Sequence, residues 1–313
     1  MLLNYSFQDG QLVLDSSGSP KISIYNNPDN TERNFLIEKC GLDEHTLASS
    51  TDPDETPRIE FEDDHVAIII KYPKNYSAED NYFFHVKSMG VFVFPATSSI
   101  IIVLKDEHYI FSQSRLAAFK CKSVQQFLLR LLSQIIRHFE DHLHTIKLTS
   151  DELELEISGS MDNRNLQSMF TLAKGLVYYQ NALNGNQRLM ERMRSSSMLN
   201  IKDQNLEQLD DLMIENQQFL DQSKIYYQVL GGLLEARASI INNNLNVMMK
   251  NMNAIVIAIS IPTFFTGVGG MSEFTALFAG KLAWYFAYPL FCGVMIATAL
   301  VIYWLIQRAY RSQ

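Results

Sequence analysis

The chain has no pair of cysteines at metal-ligand spacing. Cys40, Cys121 and Cys292 stand far apart in 313 residues, so neither a disulfide framework nor a zinc ribbon is encoded. No G-x-x-x-x-G-K-[ST] loop is present to cradle nucleotide phosphates, and no H-E-x-x-H or G-x-S-x-G to carry hydrolysis. These absences set the expectation that the protein is not an enzyme and holds no organic cofactor. The opening MLLNYSFQDG has neither a basic n-region nor an apolar core, so no secretory leader is expected.

Charge is what the C-terminal part lacks. Asn251–Ser272 runs for 22 residues and Leu282–Gln307 for 26 without a charged side chain. Each exceeds the roughly 20 residues a helix needs to cross about 30 Å of hydrocarbon. Only residues 273–281 separate them, so the pair reads as a transmembrane hairpin with lipid as its surroundings. Lys250 precedes the hairpin and Arg308 and Arg311 follow it, against Lys281 alone in the loop. The excess of basic residues at the outer ends places both termini in the cytoplasm and the short loop outside, in the cell membrane.

The remaining 250 residues carry 23 basic against 33 acidic side chains, a net charge of −10. Such a surface repels nucleic acid and concentrates cations. The first third alternates short β-branched and aromatic runs with Asp-Gly and Ser-Gly-Ser-Pro turns. MLLNYSF, QLVLD, KISIY, RIEFEDDHVAIIIKYP, FFHVKSMGVFVFP and SSIIIVLKD read as strands, and TERNFLIEKCG as a helix with a glycine stop. From about Ser114 the spacing turns helical, with Phe127, Leu128, Leu131, Leu132, Ile135, Ile136, Phe139, Leu143 and Ile146 at steps of three and four. On this stretch His138, His142 and His144 read as a solvated face, although the i, i+4 spacing of the first two also suits a metal ion. A second helix covers about Asn165–Arg194.

A third helical stretch repeats Leu206, Leu209, Met213, Leu220, Tyr227, Leu230, Leu234, Ile241, Leu245 and Met248, with no proline before Pro262. One helix of roughly 60 residues, near 90 Å long, therefore joins cytosol to bilayer. The organisation expected is an α/β domain over 1–112 and a helical segment over 113–195. A stalk helix follows over 196–250, then a first span over 251–272, an outer loop over 273–281, a second span over 282–307 and a basic tail over 308–313. In fold class this is an α+β cytosolic domain, a long stalk helix and a two-helix transmembrane hairpin.

Along the membrane end of the third stretch Asn246, Met249, Asn253, Val256, Ser260 and Thr263 share one face. A polar group facing hydrocarbon without a partner costs several kcal/mol, about the scale of a lost buried hydrogen bond or more. The stripe, ending outward in GVGGMSEF, points to a water-filled path. Two helices cannot enclose water, so the path requires a closed ring of identical subunits.

The ordered set NLNVMMK, an apolar helix with a proline, Gly269-Gly270-Met271-Ser272, a second span and a basic tail resembles the CorA family of magnesium and cobalt channels. PRIEFEDDHVAIII, QQFLLRLLSQIIRHFEDHLHTI and LGGLLEARAS resemble its strand, first long helix and stalk end, so nearly the whole chain is covered. The resemblance implies a funnel-shaped homo-oligomer, pentameric, that carries divalent cations: magnesium, with cobalt, nickel and zinc as further candidates. It implies an outer mouth at Gly269, Gly270, Met271, Ser272 and Glu273. It also implies a regulatory metal site drawing on Asp211 with Asp52 and Asp54. Serine replaces the signature asparagine, Gly269 replaces the preceding aromatic, Glu235 stands for an aspartate, and no acid occupies Ala48–Ser49. The alternative left open is a membrane-tethered relative that has lost transport and serves as an interaction or regulatory module.

Overall fold

The computed structural model describes residues 2–8, 10–15, 18–74, 84–112, 115–116, 119–157, 163–201, 204–270 and 284–311. It comprises two bodies, Met1–Leu234 and Glu235–Gln313, each with its own packing.

The first body is organised by one seven-stranded sheet. Its strands are β1 (Leu2–Gln8), β2 (Gln11–Leu14), β3 (Ile22–Asn26), β4 (Arg58–Phe61), β5 (Val66–Pro73), β6 (Val86–Phe94) and β7 (Ser99–Leu104), in the spatial order β2-β1-β3-β7-β6-β5-β4. All neighbours are antiparallel except β3 and β7, which run parallel with Ile22 opposite Ile100. That join attaches the first three strands to the β4–β7 meander. RIEFEDDHVAIIIKYP is two strands rather than one, because its central acids form a turn in which the Glu62 N–H donates to the His65 carbonyl at 3.0 Å.

Between β3 and β4 lie helices α1 (Asn30–Glu38) and α2 (Glu44–Ser49). Helix α1 begins at a reciprocal cap: the Glu32 N–H donates to Asp29 at 2.8 Å and the Asp29 N–H to Glu32 at 3.1 Å. It ends at Glu38 with Lys39 as its cap, and the turn that follows puts Gly41 at a φ of 71° that favours glycine, from which the Leu42 N–H reaches back to the Leu36 carbonyl at 3.1 Å.

Strand alternation separates two cores. Val66, Ile68, Ile70 and Tyr72 of β5 point into the larger one with Met89, Val91, Ile100 and Ile102. Ala67, Phe92, Val103 and Tyr25 point the other way, onto Leu36, Leu42 and Leu47 of α1 and its neighbour. The larger core is roofed by α3 (Val124–Ile157) and α4 (Asn163–Arg194), through Phe127, Ile135, Phe139, Leu176 and Tyr179 among others. Each such fully buried side chain contributes roughly 1.5–3 kcal/mol. Helix α4 lies so close to the sheet edge that a Cβ on Gly185 would stand 2.5 Å from Pro57 Cγ, which explains a glycine where a helix would otherwise disfavour one.

Strand β4 is shorter than β5, so the backbone of Lys71 has no strand on that side. Asn186 of α4 takes the place of one. The Lys71 N–H donates to Asn186 Oδ1 at 3.1 Å, and Asn186 Nδ2 donates to the Lys71 carbonyl at 2.8 Å, both in the buried interior. Helix α5 (Gln204–Gly269) is a single helix of 66 residues with Pro262 inside it, and α6 (Trp284–Arg311) follows. Both are long and apolar enough to cross a membrane.

Asn186→Ala leaves one buried donor and one buried acceptor unpaired, so it should cost about 3 kcal/mol of stability. The check is the thermal midpoint together with hydrogen exchange at the Lys71 amide, which should lose its protection before the rest of β5.

Candidate functional site

Within the second body, α6 covers one face of α5. Gln307 Nε2 donates to Asn251 Oδ1 at 3.2 Å, and Lys250 Nζ lies 5.8 Å from the Tyr310 ring centre. At the other end of the pair, the Phe291 ring lies against Gly269. The buried residues on this face are Ala254, Ala258 and Pro262, each one helical turn apart. Small residues here let the two helices approach closely. Asn246, Met249, Asn253, Val256, Ser260 and Thr263 are all exposed. At about 100° per residue they centre on the side of α5 opposite the alanine face. Ser260, Thr263 and Gly267 line an open groove of about 510 Å³ with Ile259, Phe264 and Val268.

Two members of the stripe already have partners. Ser260 Oγ donates to the Val256 carbonyl at 2.7 Å and Thr263 Oγ1 to the Ile259 carbonyl at 2.8 Å, which leaves the hydroxyl lone pairs facing outward. Asn246 and Asn253 have no such bond among the described residues, so the need for partners from elsewhere falls on them. At the end of the helix the Gly270 N–H donates to the Thr266 carbonyl at 3.0 Å. Met271, Ser272 and Glu273 lie outside the described residues, so of the five mouth residues only Gly269 and Gly270 are described.

The acidic loop after α2 is already occupied by cations of the chain itself. Lys71, 3% exposed, donates its Nζ to the Pro53 carbonyl, and burial lowers its pKa against the opposing fields of Asp54, Asp52 and Glu55. Arg58 pairs with Glu55 at 2.6 Å and with Glu60 at 2.6 Å, and Ser49 Oγ donates to Glu55 at 2.9 Å. Burial pushes the Glu55 carboxyl upward, but these donors outweigh it and hold its pKa low. Asp52 caps the turn by accepting the Asp54 N–H at 2.9 Å, and its own carbonyl accepts from Ser88 Oγ at 2.6 Å. Asp52, Asp54 and Asp211 are exposed, and among the described residues no three acids, histidines or cysteines are grouped to hold a metal ion.

A family model described as CorA-like Mg2+ transporter protein matches residues 21–308. The chain belongs to this family. It is 23% identical over 274 residues to the cobalt/magnesium transport protein CorA of Methanocaldococcus jannaschii, a match covering 85% of this chain and 82% of that one. Its fold is similar to the complete structure of the CorA magnesium transporter from the same organism, at 19% identity and a TM-score of 0.78, covering 99% and 97% of the two chains. Full-length CmaX protein (15% identity, TM-score 0.69, 98% and 96% covered) and the cytoplasmic domain of ZntB from Vibrio parahaemolyticus (15%, 0.59, 78% and 97%) are similar too.

In this CorA-like chain His138 and His142 are not on a solvated face; they are buried, and only His144 is exposed. Their side of α3 is covered by β5, by the turn at Tyr109–Phe111 and by α4, so the buried arc is wider than the apolar stripe that spacing reveals. His108 and His138 ring centres lie 5.2 Å apart and those of His138 and His142 4.3 Å, with Tyr72 against His108 and Tyr179 Oη 2.5 Å from His142 Nδ1. His138 Nδ1 and His108 Nε2 are buried without a hydrogen-bond partner among the described residues. Burial lowers His108 and His142 to about 4 and His138, with added repulsion from its neighbours, to about 2.

These histidines are neutral in the folded state near pH 7 and more easily protonated once unfolded. Their contribution is therefore complete above about pH 6.5 and is lost as pH falls towards 4 for His108 and His142 and on towards 2 for His138, at up to about 1.4 kcal/mol per pH unit for each. The thermal midpoint of the first body should be flat from pH 8 to 7 and fall between 6.5 and 4. His138→Phe should make that fall shallower; an unchanged slope would show that His138 does not drive it.

Proposed function

We propose that this chain is one subunit of a homo-oligomeric ring that carries divalent cations across the cell membrane. The observation that carries this reading is the position of Asn246, Asn253, Ser260 and Thr263 on the face of α5 opposite the one that α6 covers. Polar groups placed there would face lipid in a lone subunit, whereas identical α5 helices around an axis would turn them towards water. The membership of the CorA-like family and the two membrane-length helices support the same reading. The family resemblance supports five subunits and magnesium as the cargo, with cobalt, nickel and zinc as further candidates.

Magnesium gives up its octahedral water shell reluctantly, so a path suited to it offers acceptors to the hydrated ion instead of stripping it. The outward lone pairs of Ser260 and Thr263 and the amides of Asn246 and Asn253 are such acceptors, while Met249 and Val256 supply apolar collars that close by dewetting. Two charges crossing 100 mV gain about 4.6 kcal/mol, enough to drive entry without ATP. At the mouth, carbonyls of Gly269–Met271 and the carboxylate of Glu273 attract cations, and the Ser272 hydroxyl replaces a longer amide. A serine ring grips the hydrated ion less than asparagine would, so discrimination among divalents is loose. Both termini lie in the cytoplasm, where the acids at Asp52, Asp54 and Asp211 could meet across subunits. With Lys71 and Arg58 already neutralising the loop, Asp211 is the acid of that set most open to an added ion.

Purified full-length protein in liposomes should pass magnesium, and cobalt, nickel or zinc, down a gradient set by a potassium diffusion potential. Ser272→Asn should shift the ranking towards magnesium, and Glu273→Gln should lower flux most at low ionic strength, where screening is weak. Single cysteines at Asn246 or Asn253 should cross-link between subunits. Absent flux from an assembled ring would favour a tethered module without transport; a monomer in mild detergent would overturn the ring itself.

A further inference from the structure

From His108 to Arg137 the chain carries Arg115, Lys120, Lys122, Arg130 and Arg137 and not one acid. The other residues of positions 1–250 carry 18 basic side chains against 33 acidic ones. A basic stretch inside so acidic a body gains Coulomb energy from any carboxylate brought within reach. The fold brings none. Arg115, Lys120 and Arg130 are exposed, and none of them has a salt bridge among the described residues.

Instead these three cations meet at one cavity. Arg115, Phe119, Lys120, Arg130 and Gln134 line a hollow of about 350 Å³, where the segment before α3 meets the first three turns of that helix. Arg130 and Gln134 stand one turn apart on α3, so both reach the same side. The Arg115 guanidinium lies over the Tyr109 ring, 4.5 Å from its centre. Such stacking orients the planar fork and spends none of its N–H donors. Phe119 is 7% exposed and its ring lies 5.7 Å from that of Phe127, so the floor of the cavity is apolar. Three like charges at one hollow repel one another, and a ligand of opposite charge removes that repulsion.

We propose that this cavity binds a phosphoryl group carried by a small soluble compound, with Arg115, Lys120 and Arg130 as its clamp and Gln134 as a neutral donor. The proposal is independent of the transport reading, since it concerns the first body alone. Two guanidinium forks match paired phosphate oxygens, and Lys120 adds a point charge. A phosphoryl group carries about −1.5 to −2 charge at neutral pH, so it answers three cations better than a single carboxylate does. The volume stands at the small end of ligand cavities, with room for a phosphate ester or short polyphosphate and not for a folded partner.

The test uses full-length protein in mild detergent and metal-free buffer, titrated with inorganic phosphate or sodium tripolyphosphate. The thermal midpoint of the first body should rise and saturate, and calorimetric titration should give one site per subunit. Lys120→Gln and Arg130→Gln should each weaken tripolyphosphate binding roughly tenfold, the scale of one lost hydrogen bond to a charged group. Their ligand-free midpoints should equal the wild type or exceed it slightly, because each removes an unpaired cation from a repelling trio. Arg130→Lys should fall between wild type and Arg130→Gln, since it keeps the charge and loses the fork. Arg188→Gln, at an exposed arginine of α4 outside the cavity lining, should bind as the wild type does. Dihexanoyl phosphatidate separates the two sources of the group: saturation by it alone would keep the clamp and assign it to a lipid headgroup. A midpoint that climbs without saturating, equally in wild type and both glutamine variants, would be general screening of the acidic body and would overturn the site. So would saturation by polyglutamate with no response to any phosphate, which would assign the face to an acidic protein segment.

Discussion

In the ring proposed above, the rotation of α5 about its own axis decides which residues turn inward, and within each body that rotation is set by a short list of buried contacts. Leu209, Asn216, Ser223 and Leu230 key the helix onto α4, and the paired amide bonds of Asn216 make any other rotation cost unsatisfied buried polar groups. In the membrane part, Ala254, Ala258 and Pro262 play the same role against α6, by close packing instead of hydrogen bonds. Apolar side chains alone would tolerate a slipped register; polar keys and small-residue contacts do not.

The first body treats charge differently from what its acidity suggests. The loop at 52–57 gathers three acids, yet it is folded around an internal lysine whose ammonium is held by a backbone carbonyl, with Arg58 closing the other side. On the surface of α5 Asp211 is exposed, and it has no ion pair among the described residues.

The histidine cluster and the Asn186 clamp show how the sheet and its helical roof are locked together. Asn186 completes the edge of β5 as a strand would, so α4 is fixed to the sheet by backbone-directed bonds in addition to apolar packing. The nearby rings of Tyr72, His108, His138, His142 and Tyr179 fill the same interface, and burial keeps the three histidines neutral at an acidic pH that would protonate them once exposed. The roof is thus firm at neutral pH and weakened by acid.

Much of this was legible from residue order alone. β-branched and aromatic runs between turn residues marked the strands, because a half-buried pleated surface selects those side chains, and the charge-free runs marked the membrane helices, because hydrocarbon excludes ions. The stripe Asn246–Thr263 was readable because helical periodicity needs no partner to be counted. Helix α2 was not read, since six residues capped by Asp43 carry too little periodicity, and neither was the split between β4 and β5. The burial of His138 and His142, the occupation of the acidic loop by Lys71 and the pairing of Lys71 with Asn186, 115 positions away, depended on which surfaces the sheet and helices bring together. Local sequence determined which segments are helix, strand and membrane span, because backbone propensity and solvent preference act over a few residues. Only the tertiary structure decided which charges are already spent and which face of α5 is left open, because burial is a property of the neighbours and not of the residue.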